Sequence, residues 1–447
     1  MQKNRFDDMT WSLILSAFPK SASLPIASYH RILSADFPEF INNYIDLPIL
    51  QRLSGIGLLC GTDWTPLYRN RFFYSRLDHS IGVALILWHF THDRAETLAG
   101  LLHDVSTPVF SHVADFRNGD ALTQESTENE NEAMLRNDDA LCAKLRTDGI
   151  SIDAVADYHV YPLADNKLPR LSADRLEYMF PSGAALEGSW TLSEIAEAYG
   201  NIDICINEDG ERELGFRTQK IAETYCEKTC RTGHILQLNE NKLALKLLSD
   251  IVDRAIAIGL IAEKDCYEKT EREIVDRFDS FSESVQSGNA ANDNVHGEAE
   301  VRGDLYGGDA VGDNRDAIRD ASRNVRTTSG TAREDFRDAA CTGSSAFSPQ
   351  EEFIKRWRTF RTMTRIEHTD DPLPDHFCVS LDVKMRYIDP LVIYGDAQGT
   401  GSARRLTSVS KKSAALIEDF LSWRDTKYGC AAYALPLHFA KKTGKRA

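Results

Sequence analysis

The chain has 447 residues, of which 42% are hydrophobic and 9% aromatic, enough for one large core and a smaller second unit. This composition excludes disorder along the whole chain. No apolar run approaches the roughly 20 residues of a membrane helix, and the first residues lack the order of a secretory signal. We therefore expect a cytoplasmic protein with no membrane partner.

The formal net charge of −16 opposes non-specific attraction to nucleic acid. An anionic substrate would have to be attracted locally, by a metal ion or a few arginines. The nine cysteines are scattered and odd in number, which favours reduced thiols. Cys226, Cys230 and His234 could line one face of a helix, but structural zinc usually has four close ligands. We interpret these three as packed or solvated side chains.

Composition and periodicity divide the chain into four parts. Residues 1–35 form an N-terminal segment, and residues 36–282 repeat apolar side chains at spacings of three and four, which predicts a helical core. Residues 283–346 are rich in Gly, Asp, Asn and Ser with almost no large apolar side chains, which predicts a disordered insert or linker. Residues 347–447 mix both periodicities and predict a small α/β appendage on a mainly α protein.

Three predicted helices carry the residues of interest. His79 opens the apolar helix HSIGVALILWHF, and the adjacent His103 and Asp104 end the next helix, just before a Ser-Thr-Pro sequence breaks the pattern. Asp174 lies near the start of a third helix, after a cap at Ser172. Helix ends can converge on one point in a bundle.

Imidazole and carboxylate ligands suit Mn, Fe, Zn or Ni as well as Mg. Arg76 lies three residues before His79, and Arg175 is adjacent to Asp174. A bound cation lowers the pKa of its water and polarises a phosphoryl oxygen, while arginines neutralise phosphate charge. The pattern therefore predicts a divalent metal site that hydrolyses a phosphate ester or anhydride.

The C-terminal region shows four local patterns. EEFIKRWRTFRTM and KKSAALIEDFLSW predict helices, whereas CVSLDVKMRYI and LVIYG predict strands.

Between Leu50 and Met179 the chain resembles the HD-domain phosphohydrolases, particularly the branch of bacterial dGTPases and the vertebrate dNTP triphosphohydrolase. The resemblance is carried by four motifs, which are QRL at 51–53, RLDHSIGV at 76–83, LLHDVSTPVFSH at 101–112 and DRLEY at 174–178. It implies an HD-domain helical bundle, a nucleotide substrate and a homo-oligomer.

Carried over by position, the resemblance implies a role for each matching residue. The metal ligands would be His79, His103, Asp104 and Asp174. The phosphate contacts would be Arg76, Arg175 and Tyr178. His112 would lie near the scissile phosphate as an acid or base.

The chain departs from this family at several positions. Thr107 stands where a catalytic histidine is expected, and the downstream His-Glu pair is absent. Glu125 or Glu128 could act as the general base instead, or both could belong to a solvated acidic surface. Leu58 and Ser182 replace the polar and acidic residues that grip the deoxyribose, so sugar selectivity is not implied.

Three functions follow from these observations. The first is hydrolysis of deoxynucleoside triphosphates. The second is an HD phosphodiesterase that cleaves a cyclic nucleotide, an oligonucleotide or another signalling nucleotide, which the loss of a histidine at Thr107 favours. The third is a nucleotide sensor without turnover. The segment with Lys384 and Arg386 resembles a part of the family that contacts effectors or other subunits.

Overall fold

The computed structural model describes residues 24–124, 126, 129–286, 347–394 and 402–434. Helices dominate this part of the chain and strands are few and short, so the predicted mainly α fold is confirmed. None of the helices described here combines the length and the apolar character needed to cross a bilayer.

The first of the helices that precede the strands, α1, lies within the predicted N-terminal segment 1–35, and the others lie in the predicted helical core. They are α1 (Ile26–Leu33), α2 (Asn42–Ile45), α3 (Pro48–Gln51), α4 (Arg76–Thr91), α5 (Arg94–Leu102), α6 (Val113–Arg117), α7 (Asn129–Asn137), α8 (Asp139–Thr147), α9 (Ala173–Leu186) and α10 (Leu192–Tyr199). Short 3-10 helices cover Glu39–Ile41, Arg52–Gly55, Thr62–Trp64, Ile152–Ala154 and Tyr158–Val160.

The later helices include the two longest described ones. They are α11 (Gln219–Gln237), α12 (Asn239–Ala257), α13 (Asp265–Glu268), α14 (Glu271–Gln286), α15 (Pro349–Thr362), α16 (Leu406–Val409) and α17 (Lys411–Ser422). The predicted C-terminal helices correspond to α15 and α17. Helix α14 continues past Ser282, where the composition changes, because Phe278 packs at 5.1 Å against Phe353 and at 5.2 Å against Trp357 of α15.

Two small sheets complete the fold, a mixed one of four strands and an antiparallel one of three. The strands are β1 (Ile202–Ile206), β2 (Arg212–Phe216), β3 (Glu367–Thr369), β4 (His376–Val379), β5 (Leu391–Tyr394), β6 (Ser402–Arg405) and β7 (Tyr428–Ala432). One sheet has the order β1-β2-β5-β6, with β2 and β5 parallel, and the other has the order β3-β7-β4. The first sheet therefore joins the predicted helical core to the C-terminal region.

The structure corrects two secondary-structure predictions. The hairpin β1-β2 lies within residues that we predicted to be helical, and it is stabilised by pairing with β5, a strand far away in the sequence. The predicted strand CVSLDVKMRYI pairs only as far as Val379. The residues from Ser380 to Pro390 belong to no strand; their backbone bonds to Ala121 and Pro169, and Gln237 donates to the carbonyl of Lys384.

Close packing of α4, α5 and α9 depends on two glycines. A Cβ atom on Gly100 of α5 would lie 2.4 Å from Leu87 Cδ1 of α4, and one on Gly82 of α4 would lie 2.5 Å from Glu177 Oε1 of α9. Because neither glycine has a side chain, these three helices approach closely enough for their polar residues to meet.

Candidate metal centre

Four side chains from three helices converge at one point. The Nε2 atoms of His79 and His103 are 3.3 Å apart. Asp174 Oδ1 lies 3.1 Å from the Nε2 atom of His79 and 3.6 Å from that of His103. Asp104 Oδ2 lies 3.8 Å and 3.7 Å from the same two atoms. The structure thus brings together all four residues that the sequence proposed as ligands.

Local sequence explains how each helix presents its ligand. Ser75 and Asp78 form a capping box at the start of α4, so His79 lies in the first turn of this helix. Asp93 caps α5, which ends at Leu102 and leaves His103 and Asp104 just beyond its last turn. Ser172 caps α9, as the sequence indicated.

Both imidazoles are oriented by an acceptor on their other nitrogen. His79 Nδ1 lies 2.5 Å from Oε2 of Glu177, and His103 Nδ1 lies 2.7 Å from the carbonyl oxygen of Gly100. A carbonyl oxygen can only accept, so His103 Nδ1 carries a proton. In the neutral ring its Nε2 then has a lone pair, and the carboxylate of Glu177 favours the same neutral tautomer of His79. Two such lone pairs directed toward each other, beside two carboxylates, suit a divalent cation.

The charges around this point favour a cation. Burial lowers the pKa of the His79 imidazole, but the carboxylates of Glu177 and Asp174 outweigh it and raise that pKa to about 10. The carboxylates thus favour a positive charge at this imidazole, which a metal ion on Nε2 would supply in place of the proton. Burial raises the pKa of Asp104, but Arg76 and the two histidines outweigh it and hold it well below its usual range. In the described chain, His79, His103 and Asp104 are the only group of three or more possible ligands whose donor atoms lie within 4.8 Å of one another. Cys226, Cys230 and His234 are not gathered in this way.

The four side chains lie in the wall of a cavity of about 750 Å³. The same cavity is lined by positively charged side chains, namely Arg76, Lys167, Arg170, Arg175, Lys384 and Arg386, and by the carboxylates of Asp165, Asp209 and Glu211. A smaller cavity of about 320 Å³ also reaches His103 and Asp104, from the side of Thr107 and Asn131. Both cavities therefore meet at His103 and Asp104.

The three predicted phosphate contacts line the larger cavity. Arg76 donates to Asp104 Oδ2 at 2.8 Å and to Ser111 Oγ at 3.2 Å. The guanidinium of Arg175 is directed toward the segment that follows Asp165, where it contacts this carboxylate at 2.9 Å and donates to the carbonyl oxygen of Arg170 at 2.8 Å. In this structure Arg175 therefore organises that cavity wall.

His112 also lies in the cavity wall, held between two charged groups. Its Nδ1 is 2.9 Å from Asp115 Oδ2, and its Nε2 accepts from Arg386 Nη2 at 3.2 Å. Arg386 also donates to Gln124 at 2.6 Å, and its guanidinium lies 5.8 Å from the ring centre of Tyr178. Desolvation lowers the pKa of His112 to about 4, with Asp115 opposing and Arg386 adding to this shift. The imidazole is therefore neutral at pH 7.

Thr107, at the position of the missing histidine, supports a ligand. Its hydroxyl donates to Asp104 Oδ1 at 2.9 Å. Arg52, from the QRL motif, donates to the carbonyl oxygens of Val105 and Thr107 at 3.0 and 2.6 Å. These contacts stabilise the segment that follows the His-Asp pair.

The remaining sequence candidates divide into two groups. Leu58 and Ser182 both line the larger cavity. Glu125 and Glu128, the proposed alternatives for the general base, lie outside the described residues.

The sequence patterns did not assign three residues to this site. Glu177 was quoted within the DRLEY motif but given no role; its position three residues after Asp174, on the same helix face, was an available signal. Lys384 and Arg386 were associated with effector or subunit contacts, whereas the structure places both in the cavity wall.

Known proteins similar to this chain include one matched by sequence and one matched by structure. No family model matches the sequence. An uncharacterized protein of Bacillus subtilis (strain 168), YdhJ, is 30% identical over 131 residues, which are 29% of this chain and 38% of YdhJ. The match thus spans well under half of either protein. A phosphohydrolase from Bacteroides thetaiotaomicron VPI-5482 is similar in structure with a TM-score of 0.48 and 12% identity, over 90% of this chain and 97% of that one. A likeness of this degree carries no argument about activity.

Proposed function

We propose that this protein is a metal-dependent phosphohydrolase of the HD-domain type that acts on nucleotides, with deoxynucleoside triphosphates as the leading substrates. The observation that carries the proposal is the convergence of His79, His103, Asp104 and Asp174 in the wall of a cavity lined by cationic side chains. The choice of a deoxynucleotide rests on the motif resemblance alone.

The four converging side chains would hold a divalent cation through two imidazole nitrogens and two carboxylates. This ligand set is compatible with Mn, Fe, Zn, Ni or Mg. When bound, such a cation lowers the pKa of a coordinated water and polarises a phosphoryl oxygen. Glu177 and the Gly100 carbonyl keep the two imidazoles in the tautomer and orientation that this role requires.

The cationic residues of the cavity would bind the phosphates. Arg386 and Lys384 enter from the C-terminal region, and Lys167 lies on the segment that Arg175 organises. Guanidinium groups form strong, directional hydrogen bonds to phosphate oxygens. A chain with a net charge of −16 can bind a polyanion only where such groups are concentrated.

His112 would move a proton near the scissile bond. Its Nδ1 proton is directed toward Asp115, so its Nε2 accepts from Arg386 and is the nitrogen that can take up a proton. A phosphate that binds Arg386 would compete with this hydrogen bond. Substrate binding would thereby make Nε2 of His112 available for proton transfer.

A second function is favoured by Thr107. Its hydroxyl supports Asp104 where the related enzymes place a catalytic imidazole. A centre with one fewer imidazole could instead cleave a cyclic nucleotide or a linear oligonucleotide. The same assay separates the two functions.

The test is hydrolysis by the full-length protein with Mn²⁺ or Mg²⁺, offered each dNTP, each rNTP, cyclic nucleotides and short oligonucleotides, with products resolved by chromatography. We expect release of phosphate or triphosphate from dNTPs by the wild type and loss of this activity in Asp104→Ala. Asp253→Ala, which removes an exposed carboxylate paired with Arg117, is the matched control and should remain active. Cleavage of phosphodiesters with intact dNTPs would favour the second function, and no turnover of any substrate would contradict both.

A further inference from the structure

Glu271 is a fully buried carboxylate outside the metal centre that joins three distant segments. It is the first residue of α14. Its Oε1 accepts from the backbone N–H groups of Gly57, at 3.0 Å, and Phe110, at 3.2 Å. Its Oε2 accepts from the indole N–H of Trp64 at 2.6 Å. Three hydrogen bonds to one buried carboxylate indicate that it has a specific task.

The segment that Glu271 holds is unfavourable on its own. Phe110 and Ser111 both adopt left-handed backbone conformations, with φ values of 63° and 52°. Such conformations are uncommon for residues with side chains, and two in succession persist only where surrounding contacts impose them. His112 follows immediately. The hydrogen bond from Phe110 N–H to Glu271 is one of the contacts that impose this turn.

The turn connects Glu271 to the metal centre through Ser111 and Arg76. The Ser111 hydroxyl donates to the carbonyl oxygen of Gly57 at 3.1 Å and accepts from Arg76 Nε at 3.2 Å. Arg76 then donates to Asp104. Glu271 thus holds the backbone at Gly57 and at Phe110. These are the two segments that position Ser111, which follows Phe110 and donates to Gly57.

We propose that Glu271 is a positioning residue for the reaction: it maintains the left-handed turn that places Ser111 against Arg76 and His112 in the cavity wall. The proposal rests on the proposed phosphohydrolase function and adds to it a residue that does not touch the cavity. Its effect on turnover passes through His112 and Arg76.

The charge of Glu271 is part of this role. Desolvation raises the pKa of its carboxyl to about 7, with the indole N–H of Trp64 opposing and the nearby carboxylate of Asp63 adding to the shift. The Cys60 thiol also interacts electrostatically with Glu271, and the guanidinium of Arg272 lies over the ring of Trp64. A protonated carboxyl would direct an O–H group toward a donor and weaken one of the three bonds. Turnover should therefore fall as the pH drops below about 7.

Two variants test the proposal: Glu271→Gln, which should lose turnover, and its combination with Trp64→Phe, which should restore it. In Glu271→Gln, the amide oxygen can still accept from Gly57 and Phe110, but the amide N–H₂ then faces the indole N–H of Trp64. We expect turnover to fall by about 10-fold to 100-fold, the range for a displaced catalytic group, while Mn²⁺ affinity is unchanged. Adding Trp64→Phe removes the opposing donor, and the double variant should recover most of the turnover. The turnover of the double variant should also not decline as the pH falls below 7.

The matched control is Glu273→Gln on the same helix. Glu273 bonds to Thr270 at the helix start and lies 3.6 Å from Lys269 Nζ, and this variant should match the wild type. Wild-type turnover in Glu271→Gln, a parallel loss of Mn²⁺ affinity, or no recovery in the double variant would each overturn the proposal.

A second measurement does not depend on turnover. In an NMR titration of labelled histidines, the pKa of His112 should lie well below 6.5 in the wild type, move toward 6.5 in Glu271→Gln and return in the double variant. No change in Glu271→Gln would overturn the positioning role even if no substrate is found. An inactive wild type with the expected NMR shifts would instead contradict only the proposed function.

Discussion

The Nδ1 atom of His79 lies 2.5 Å from Oε2 of Glu177, and both side chains are almost completely buried. Tyr74 donates to the other carboxylate oxygen of Glu177 at 2.6 Å. A buried carboxylate held in this way fixes both the tautomer and the ring orientation of the imidazole. The proposed metal ligand is therefore oriented by a residue that need not touch the metal.

The first prediction concerns this carboxylate. Glu177→Gln should weaken Mn²⁺ binding by about 10-fold to 100-fold, as is typical when the hydrogen-bond partner of a metal-bound histidine is lost. Calorimetric titration measures this affinity. The control is Glu187→Gln, because Glu187 is equally buried but contacts Arg231 instead of a ligand. Equal Mn²⁺ affinity in the two variants would contradict the role of Glu177.

The second prediction uses the glycine that faces Glu177. A Cβ atom at position 82 would lie 2.5 Å from Glu177 Oε1, so Gly82→Ala should displace this carboxylate from His79 and weaken Mn²⁺ binding. Overpacking also lowers the free energy of unfolding by about 1–3 kcal/mol. Gly429→Ala in β7 introduces a clash with Asn239 Cβ, at 2.8 Å, outside the metal centre, and so measures the loss of stability separately. It should lose stability and keep more of its Mn²⁺ affinity than Gly82→Ala.

The third prediction concerns Arg386 and substrate binding. Arg386→Ala should raise the KM for the preferred nucleotide by about 10-fold or more, because hydrogen bonds to charged groups contribute about 1.5–3 kcal/mol. Arg386→Lys should recover part of this loss. Arg404→Ala, which removes an exposed arginine of β6, should leave the KM unchanged. An unchanged KM in Arg386→Ala would exclude this residue from the substrate site.

The fourth prediction is a pH dependence of stability. The folded protein holds the pKa of His112 at about 4, below the ordinary 6.5, so between these values the unfolded chain binds the extra proton. The free energy of unfolding should therefore decrease as the pH falls from 6.5 toward 4. Thermal unfolding should show a smaller decrease in His112→Asn than in the wild type. His92→Asn, at an exposed position, should behave like the wild type.

Sequence patterns predicted the parts of this site that are local. The predicted cap at Ser172 begins the helix that carries Asp174, and the predicted break after Asp104 follows the end of α5; the structure adds caps at Ser75 and Asp93. Such signals depend on a few neighbouring residues, which is why the ligands could be assigned to their helices from the sequence.

The parts that were missed depend on contacts between distant segments. The hairpin β1-β2 is completed by β5, which follows it by some 175 residues, and no local pattern indicates such a partner. Arg386 reaches His112 across a separation of 274 residues. The role of Glu177 depends on how closely α9 approaches α4, which is a property of packing at Gly82.

The most direct test of the proposed centre is calorimetric titration of Mn²⁺ into the full-length wild type and into Asp104→Ala, after removal of bound metal. We predict saturable binding by the wild type and its loss or strong weakening in Asp104→Ala, with Asp253→Ala unchanged. Equal Mn²⁺ binding by the wild type and Asp104→Ala, or no binding by the wild type, would contradict a metal centre formed by His79, His103, Asp104 and Asp174.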